Sequence, residues 1–176
     1  MFRYALLTPL PYHDTSYSRL PQQVNHLGTA LLSLVLLSPL KNTAAKTGSP
    51  SRLTIVSSEV HFWTPFNERK APSILTRLNN PDSFKGMERY NTSKLLNILW
   101  MRELSSRVPA NIVVVNAVNP GLCASTLHRN DPTPGLALLN KMIAWSPEQG
   151  GHNLSWAATQ FGDVQGAYVT EQHVDK

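Results

Sequence analysis

Tyr90 and Lys94 stand four residues apart in GMERYNTSKLLNILW (86–100), at the point where the pattern turns apolar. On a helix, positions i and i+4 share a face, so this phenol and this ammonium would lie together. A free phenol titrates at about 10 and is a poor proton donor or acceptor at neutral pH; a neighbouring ammonium favours the phenolate and draws that value down. The pair is therefore a candidate acid/base unit. The same spacing also occurs on ordinary solvated helix faces, so the surroundings must decide. Ser57 and Ser58 close the run LTIVSS (53–58), and Asn119-Pro120-Gly121 follows NIVVVNAV (111–118). Open parallel sheets place ligands at the C-terminal ends of their strands. A hydroxyl, a phenol–ammonium pair and a tight turn thus fall at neighbouring strand ends and a helix start.

The elements that must hold these groups can be read from periodicity. Residues 1–20 contain Pro9, Pro11 and several Ser and Tyr without either period, and read as an irregular lead-in to a domain at 21–176. Val24 to Leu37 fits a largely buried helix ended near Pro39, with 41–51 as a loop. The runs at 53–58 and 111–118 are β-branched and apolar and read as buried strands. Between them, 59–85 is a long irregular connection, and a helix from about Met87 to Arg107 follows. A short helix is expected around 135–145. Ser146, Pro147 and Gln149 supply an N-cap, a first-turn proline and a capping-box partner for a helix running to about Gln160 and stopping at Gly162. GAYVT (166–170) reads as a last short strand. Helices alternating with continuous apolar strands indicate an α/β fold around a parallel sheet.

Composition narrows the function. The 176 residues are 41% hydrophobic and 15% charged, a globular balance sufficient for one domain. The net charge of +5 comes from scattered basic residues with no aromatic–basic ladder, which argues against a nucleic-acid surface. Cys123 is the single cysteine, which excludes an internal disulfide and suits a reducing, cytoplasmic setting. His61, His128 and His152 show no metal-ligand spacing. The apolar run 27–40 falls short of the roughly 20 residues that a membrane span needs. Trp63, in the long connection, is placed where it could wall a substrate pocket.

Four segments resemble, in order, the short-chain dehydrogenase/reductase family: VNHLG, IVSS, YNTSK and NPGLCAST, spanning about Val24 to Thr170. Ser58 and Tyr90 lie 32 positions apart, which is similar to the retinol-dehydrogenase-like branch that includes fungal reductases of secondary metabolism. The resemblance implies a Rossmann-like α/β fold and catalytic residues Asn25, Ser58, Tyr90 and Lys94. It also implies cofactor contacts from Tyr90, Lys94, Pro120, Gly121 and Ser125 (or Thr126). The implied cofactor is NADP or NAD, NADP being favoured, and the implied substrate a lipophilic small molecule carrying a carbonyl or alcohol. Tyr90 would move the proton, Ser58 would hold the substrate oxygen, and Asn25 would position a water leading to Lys94. A homodimer through the helix that starts at Met87 is implied as well.

The chain departs from this family at its start. A dinucleotide site needs a first strand and a glycine-rich turn at a helix N-terminus to take the pyrophosphate. Before Gly86 the only glycines are Gly28 and Gly48, and no Gly-x-x-x-Gly-x-Gly pattern occurs. The expectation is an N-terminally shortened family member lacking the first βαβ portion, with weakened dinucleotide binding. The alternative function is a catalytically silent fragment or pseudo-enzyme that acts only as an interaction partner.

Overall fold

In a computed structural model of the chain, which describes residues 21–124, 144–160 and 162–175, the first element is one continuous helical run. It opens with π-helical turns, Pro21–Gly28, and passes directly into helix α1, Thr29–Thr47. Pro39 does not end this helix; it sits inside it, and the chain leaves helical geometry only at Gly48, whose φ is 68°. The stretch from 41, expected as a loop, is therefore helical as far as Thr47. A proline removes one helical hydrogen bond, and here packing on the far side of Pro39 carries the helix on: Ala44 is buried, and Leu37 and Leu40 pack on the core beneath.

The expectation of a largely buried α1 is also corrected. Only Ser33 and Ala44 are buried along it, while Leu31, Leu32, Leu34 and Val35 are exposed. One side of α1 lies on the sheet, and among the described residues nothing covers the other side. Because the helix passes Pro39, the run Gln22–Thr47 reaches 26 residues and is long and apolar enough to cross a membrane by length and composition. The shorter reading of residues 27–40 does not hold as a measure of that helix.

Strand β1 is Ser51–Val56, so Ser57 and Ser58 follow the strand rather than lie in it. The connection after it contains 3-10 turns at Glu59–Trp63, Asn67–Lys70 and Pro81–Ser83 and a short helix α2, Ile74–Leu78. Helix α3 then runs Gly86–Arg107 and strand β2 Val113–Asn119. All seven residues of β2 are buried, as expected of a parallel strand covered on both faces. Helix α4, Pro147–Thr159, starts on a capping box: Ser146 Oγ accepts from the Gln149 amide, and Gln149 Oε1 accepts from the Ser146 amide. Strands β3, Tyr168–Thr170, and β4, His173–Asp175, complete the described chain.

Among the described residues the sheet order is β1-β2-β3-β4, with β1, β2 and β3 parallel and β4 antiparallel to β3. The antiparallel fourth strand was not expected; its turn is Glu171-Gln172, both at positive φ. One core, under α1 and α3, gathers Leu53, Ile55, Ile98, Met101, Val113 and Val115; a smaller one under α4 gathers Val118, Ala157 and Val169. This α/β arrangement places the C-terminal ends of β1 and β2 side by side next to α3.

Candidate active site

The two strand ends and α3 are joined directly. The Ser57 amide donates to the Val118 carbonyl at 2.9 Å, and Ser57 Oγ donates to the Lys94 carbonyl at 3.0 Å. Ser57, 2% exposed, is thus consumed in fastening β1 to α3. Ser58 is half-buried instead, and its carbonyl accepts from the amide and from Nδ1 of His61, at 3.2 and 2.7 Å. His61 is buried, stacked on Phe62 and edge-on to Tyr168. It fixes the turn that follows Ser58, a part that spacing alone did not single out.

Tyr90 and Lys94 do share a face of α3, with Lys94 Nζ 5.5 Å from the centre of the Tyr90 ring. The ammonium therefore lies over the ring. Burial pushes the Tyr90 phenol above its ordinary value and holds the Lys94 ammonium below its own. The acidification expected from spacing is outweighed here by desolvation, which disfavours both charged forms.

Asn25 meets the same helix. Its Nδ2 donates to Ser93 Oγ at 3.1 Å, and Ser93 Oγ donates to the Tyr90 carbonyl at 2.7 Å. One residue on, His26 Nδ1 pairs with Asn97 Oδ1 at 3.2 Å. The π-helical turns, an uncommon geometry that recurs at functional positions, thus deliver two polar side chains onto α3 within one step.

Pro120 and Gly121 form the turn beyond β2. Gly121 has φ 85°, its amide donates to Asn119 Oδ1 at 3.1 Å, and a Cβ there would sit 3.0 Å from the Trp145 ring. Glycine is needed both for the backbone and for the close approach. Asn153 Nδ2 donates to the Pro120 carbonyl at 3.3 Å, tying α4 to the turn. Beyond it, Ala124 and Trp145 are joined by the bond from the Ala124 amide to the Trp145 carbonyl at 2.9 Å. Ser125 and Thr126, together with most of the helix expected around 135–145, lie outside the described residues. A depression of about 340 Å³ between α4 and the β3–β4 turn is lined by Trp145, Gln149, His152, Asn153, Glu171 and Gln172. Ser58, Tyr90 and Lys94 do not line it.

A dinucleotide can be fitted to these residues only in part. The left-handed Gly121 turn, Tyr90 and Lys94 are groups that could meet its nicotinamide end. For the pyrophosphate no glycine-rich turn after a strand exists among the described residues. Phe62 and Trp63, 59% and 64% exposed, lie in the 3-10 turn that follows Ser58.

No family model matches the chain. It is 79% identical over 154 residues to the short chain dehydrogenase sol3 of Alternaria solani, covering 88% of this chain and 54% of that protein. It is 36% identical over 124 residues to retinol dehydrogenase 14 of Mus musculus, covering 70% of this chain and 34% of that one. Among solved structures, the carbonyl reductase Sniffer of D. melanogaster superposes with a TM-score of 0.58 at 15% identity, over 93% of this chain and 58% of that chain. The last likeness shows the shared Rossmann-like fold. The chain spans about half the length of its Alternaria relative.

Proposed function

Because the chain belongs to the short-chain dehydrogenase/reductase family, we propose that it acts, or contributes the catalytic half of a protein that acts, as an NAD(P)-dependent oxidoreductase on a lipophilic small molecule. The reaction interconverts a carbonyl and an alcohol. The observation that carries this reading is the placing of the half-buried Tyr90 and Lys94 on one face of α3, which Ser57 fastens to the end of β1 beside Ser58.

The dinucleotide supplies or accepts the hydride when bound. Tyr90 gives its phenolic proton to the carbonyl oxygen on reduction and takes the hydroxyl proton on oxidation. Ser58 donates a hydrogen bond to the same oxygen, where charge develops. Lys94 opposes the rise that burial imposes on the phenol and would hold the cofactor ribose. Asn25, anchored on Ser93, holds a water that leads from Lys94 to solvent. Gly121 and Pro120 would line the nicotinamide end of the cofactor, and Ser125 would supply a further contact to it. Phe62 and Trp63 give an apolar substrate a surface to lie on. NADP is favoured over NAD, the setting is cytoplasmic, and two copies pair through α3.

The test is oxidation of NADPH and of NADH, each at millimolar concentration, followed with a panel of long-chain and aromatic ketones and aldehydes. Turnover of the apolar carbonyls, faster with NADPH, is the expected result. No cofactor binding and no turnover with any carbonyl would support the alternative, a silent fragment that acts only through partners.

A further inference from the structure

Arg89 precedes Tyr90 by one residue, and its side chain is 1% exposed. A guanidinium so placed must be matched by partners, because an unpaired buried charge is strongly destabilising. Nη1 donates to Glu68 Oε1 at 3.2 Å, and Nη2 donates to the carbonyl and hydroxyl oxygens of Ser83, both at 3.2 Å. The Glu68 side chain is itself only 10% exposed, so the pair is closed off from water. Glu68 and Ser83 bracket residues 69–82, which include α2 and the exposed Arg69, Lys70 and Leu75. One side chain therefore gathers both ends of that stretch and fastens them to the first turn of α3.

Two further features accompany the clamp. Thr64 and Thr92 share a hydrogen bond of 2.8 Å between their hydroxyls, and Thr92 lies on α3 three residues after Arg89. Phe66 adopts φ 44°, a left-handed backbone that a non-glycine residue takes only when its surroundings demand it. That bend turns the chain so that Glu68 enters the interior. The Arg89–Thr92 face of α3 thus lies against the long connection, while the adjoining face carries Tyr90 and Lys94.

We infer that Arg89 is a positioning residue: the Glu68–Arg89–Ser83 clamp sets the depth and rotation of the first turn of α3, and through it the place of the Tyr90 phenol. The inference rests on the reading of Tyr90 as the acid/base group, but its test does not require turnover. The variants are Glu68→Gln, Arg89→Lys and the double variant Glu68→Met/Arg89→Met, which leaves no buried charge and so retains the fold. Two quantities are read in each: hydrogen exchange of the amides at 69–82, and the titration midpoint of Tyr90 in protein carrying ¹³C-labelled tyrosine.

In all three, exchange at 69–82 should rise ~10-fold or more while the β1 and β2 amides stay protected. The Tyr90 midpoint should move down toward the ordinary phenol value as water reaches the ring. An unchanged Tyr90 midpoint overturns the inference, whether or not 69–82 loosens, since the clamp would then hold the connection alone. If a single variant fails to fold, the double variant decides by the same two readings. Full turnover in Tyr90→Phe, with the clamp readings as expected, would remove the catalytic reading and leave the positioning of Tyr90 in place.

Discussion

Gln165 offers a measurable test of how the sheet is fastened to α3. Strand β3 pairs with β2 only from Ala117 onward, so the Val115 amide has no strand partner on that side. Gln165 Oε1 takes its place, accepting from the Val115 amide at 2.7 Å. Its Nε2 donates to the carbonyls of Ser105 and Val108, at 3.0 and 2.7 Å, in the last turn of α3 and just beyond it. Gln165→Leu keeps the volume and removes these three bonds, together with a longer one of 3.5 Å from Nε2 to the Val113 carbonyl. At about 1 kcal/mol net for each bond, with more where a buried group is left unpaired, the loss should be about 3 kcal/mol. For a chain of this size that corresponds to roughly 6–12 °C in Tm. Urea unfolding followed by far-ultraviolet circular dichroism and by tryptophan fluorescence gives the value, and the slope m should stay constant. A change within ~0.5 kcal/mol, the range of an ordinary surface substitution, would refute the reasoning.

Gly150→Ala should destabilise, because the new Cβ would overlap Cys123 Sγ, and Cys123→Ala should restore what is lost; a double-mutant cycle should show coupling of about 1–3 kcal/mol. Lys94→Met should raise Tm by a few degrees while removing turnover, since burial disfavours the ammonium that the site needs. Unchanged or lower Tm would show that the ammonium is not paying a desolvation cost. His26 is held below its ordinary 6.5 by burial, against the opposing bond from Asn97. The unfolded chain therefore binds that proton more readily, so stability should be level above pH 6.5 and fall as pH drops below it toward the lower folded value. His26→Gln should flatten that slope in urea midpoints taken from pH 7 to 5.

The parts of the fold that were legible in the sequence are those whose signals are local. Ser146 and Gln149 announce the start of α4 because both halves of a capping box lie within four residues. The valines of β2 announce a strand buried on both faces. The course of α1 was less legible, because Pro39 signals a stop that packing at Ala44 overrides, and an apolar run does not say which of its sides finds a partner. β4 escaped because its turn, Glu171-Gln172, takes left-handed backbone without the Asn-Gly or Gly residues that mark such turns. At the site, the shared face of Tyr90 and Lys94 follows from their spacing, whereas the balance between attraction and desolvation depends on neighbours distant in sequence. Glu68 and Arg89, 21 positions apart, carry no spacing signal, and only the fold brings them together.

The central claim is that the Tyr90 phenol is the group that moves the proton. Replacing it with phenylalanine removes one oxygen and leaves Lys94, Ser58 and the Gly121 turn in place. NADPH oxidation with the best apolar carbonyl, measured beside NADPH binding by fluorescence, separates chemistry from affinity. Turnover should fall by a factor of about 100 or more, the scale of a lost acid/base group, with binding nearly unchanged. Equal turnover in Tyr90→Phe and the parent chain would contradict the account.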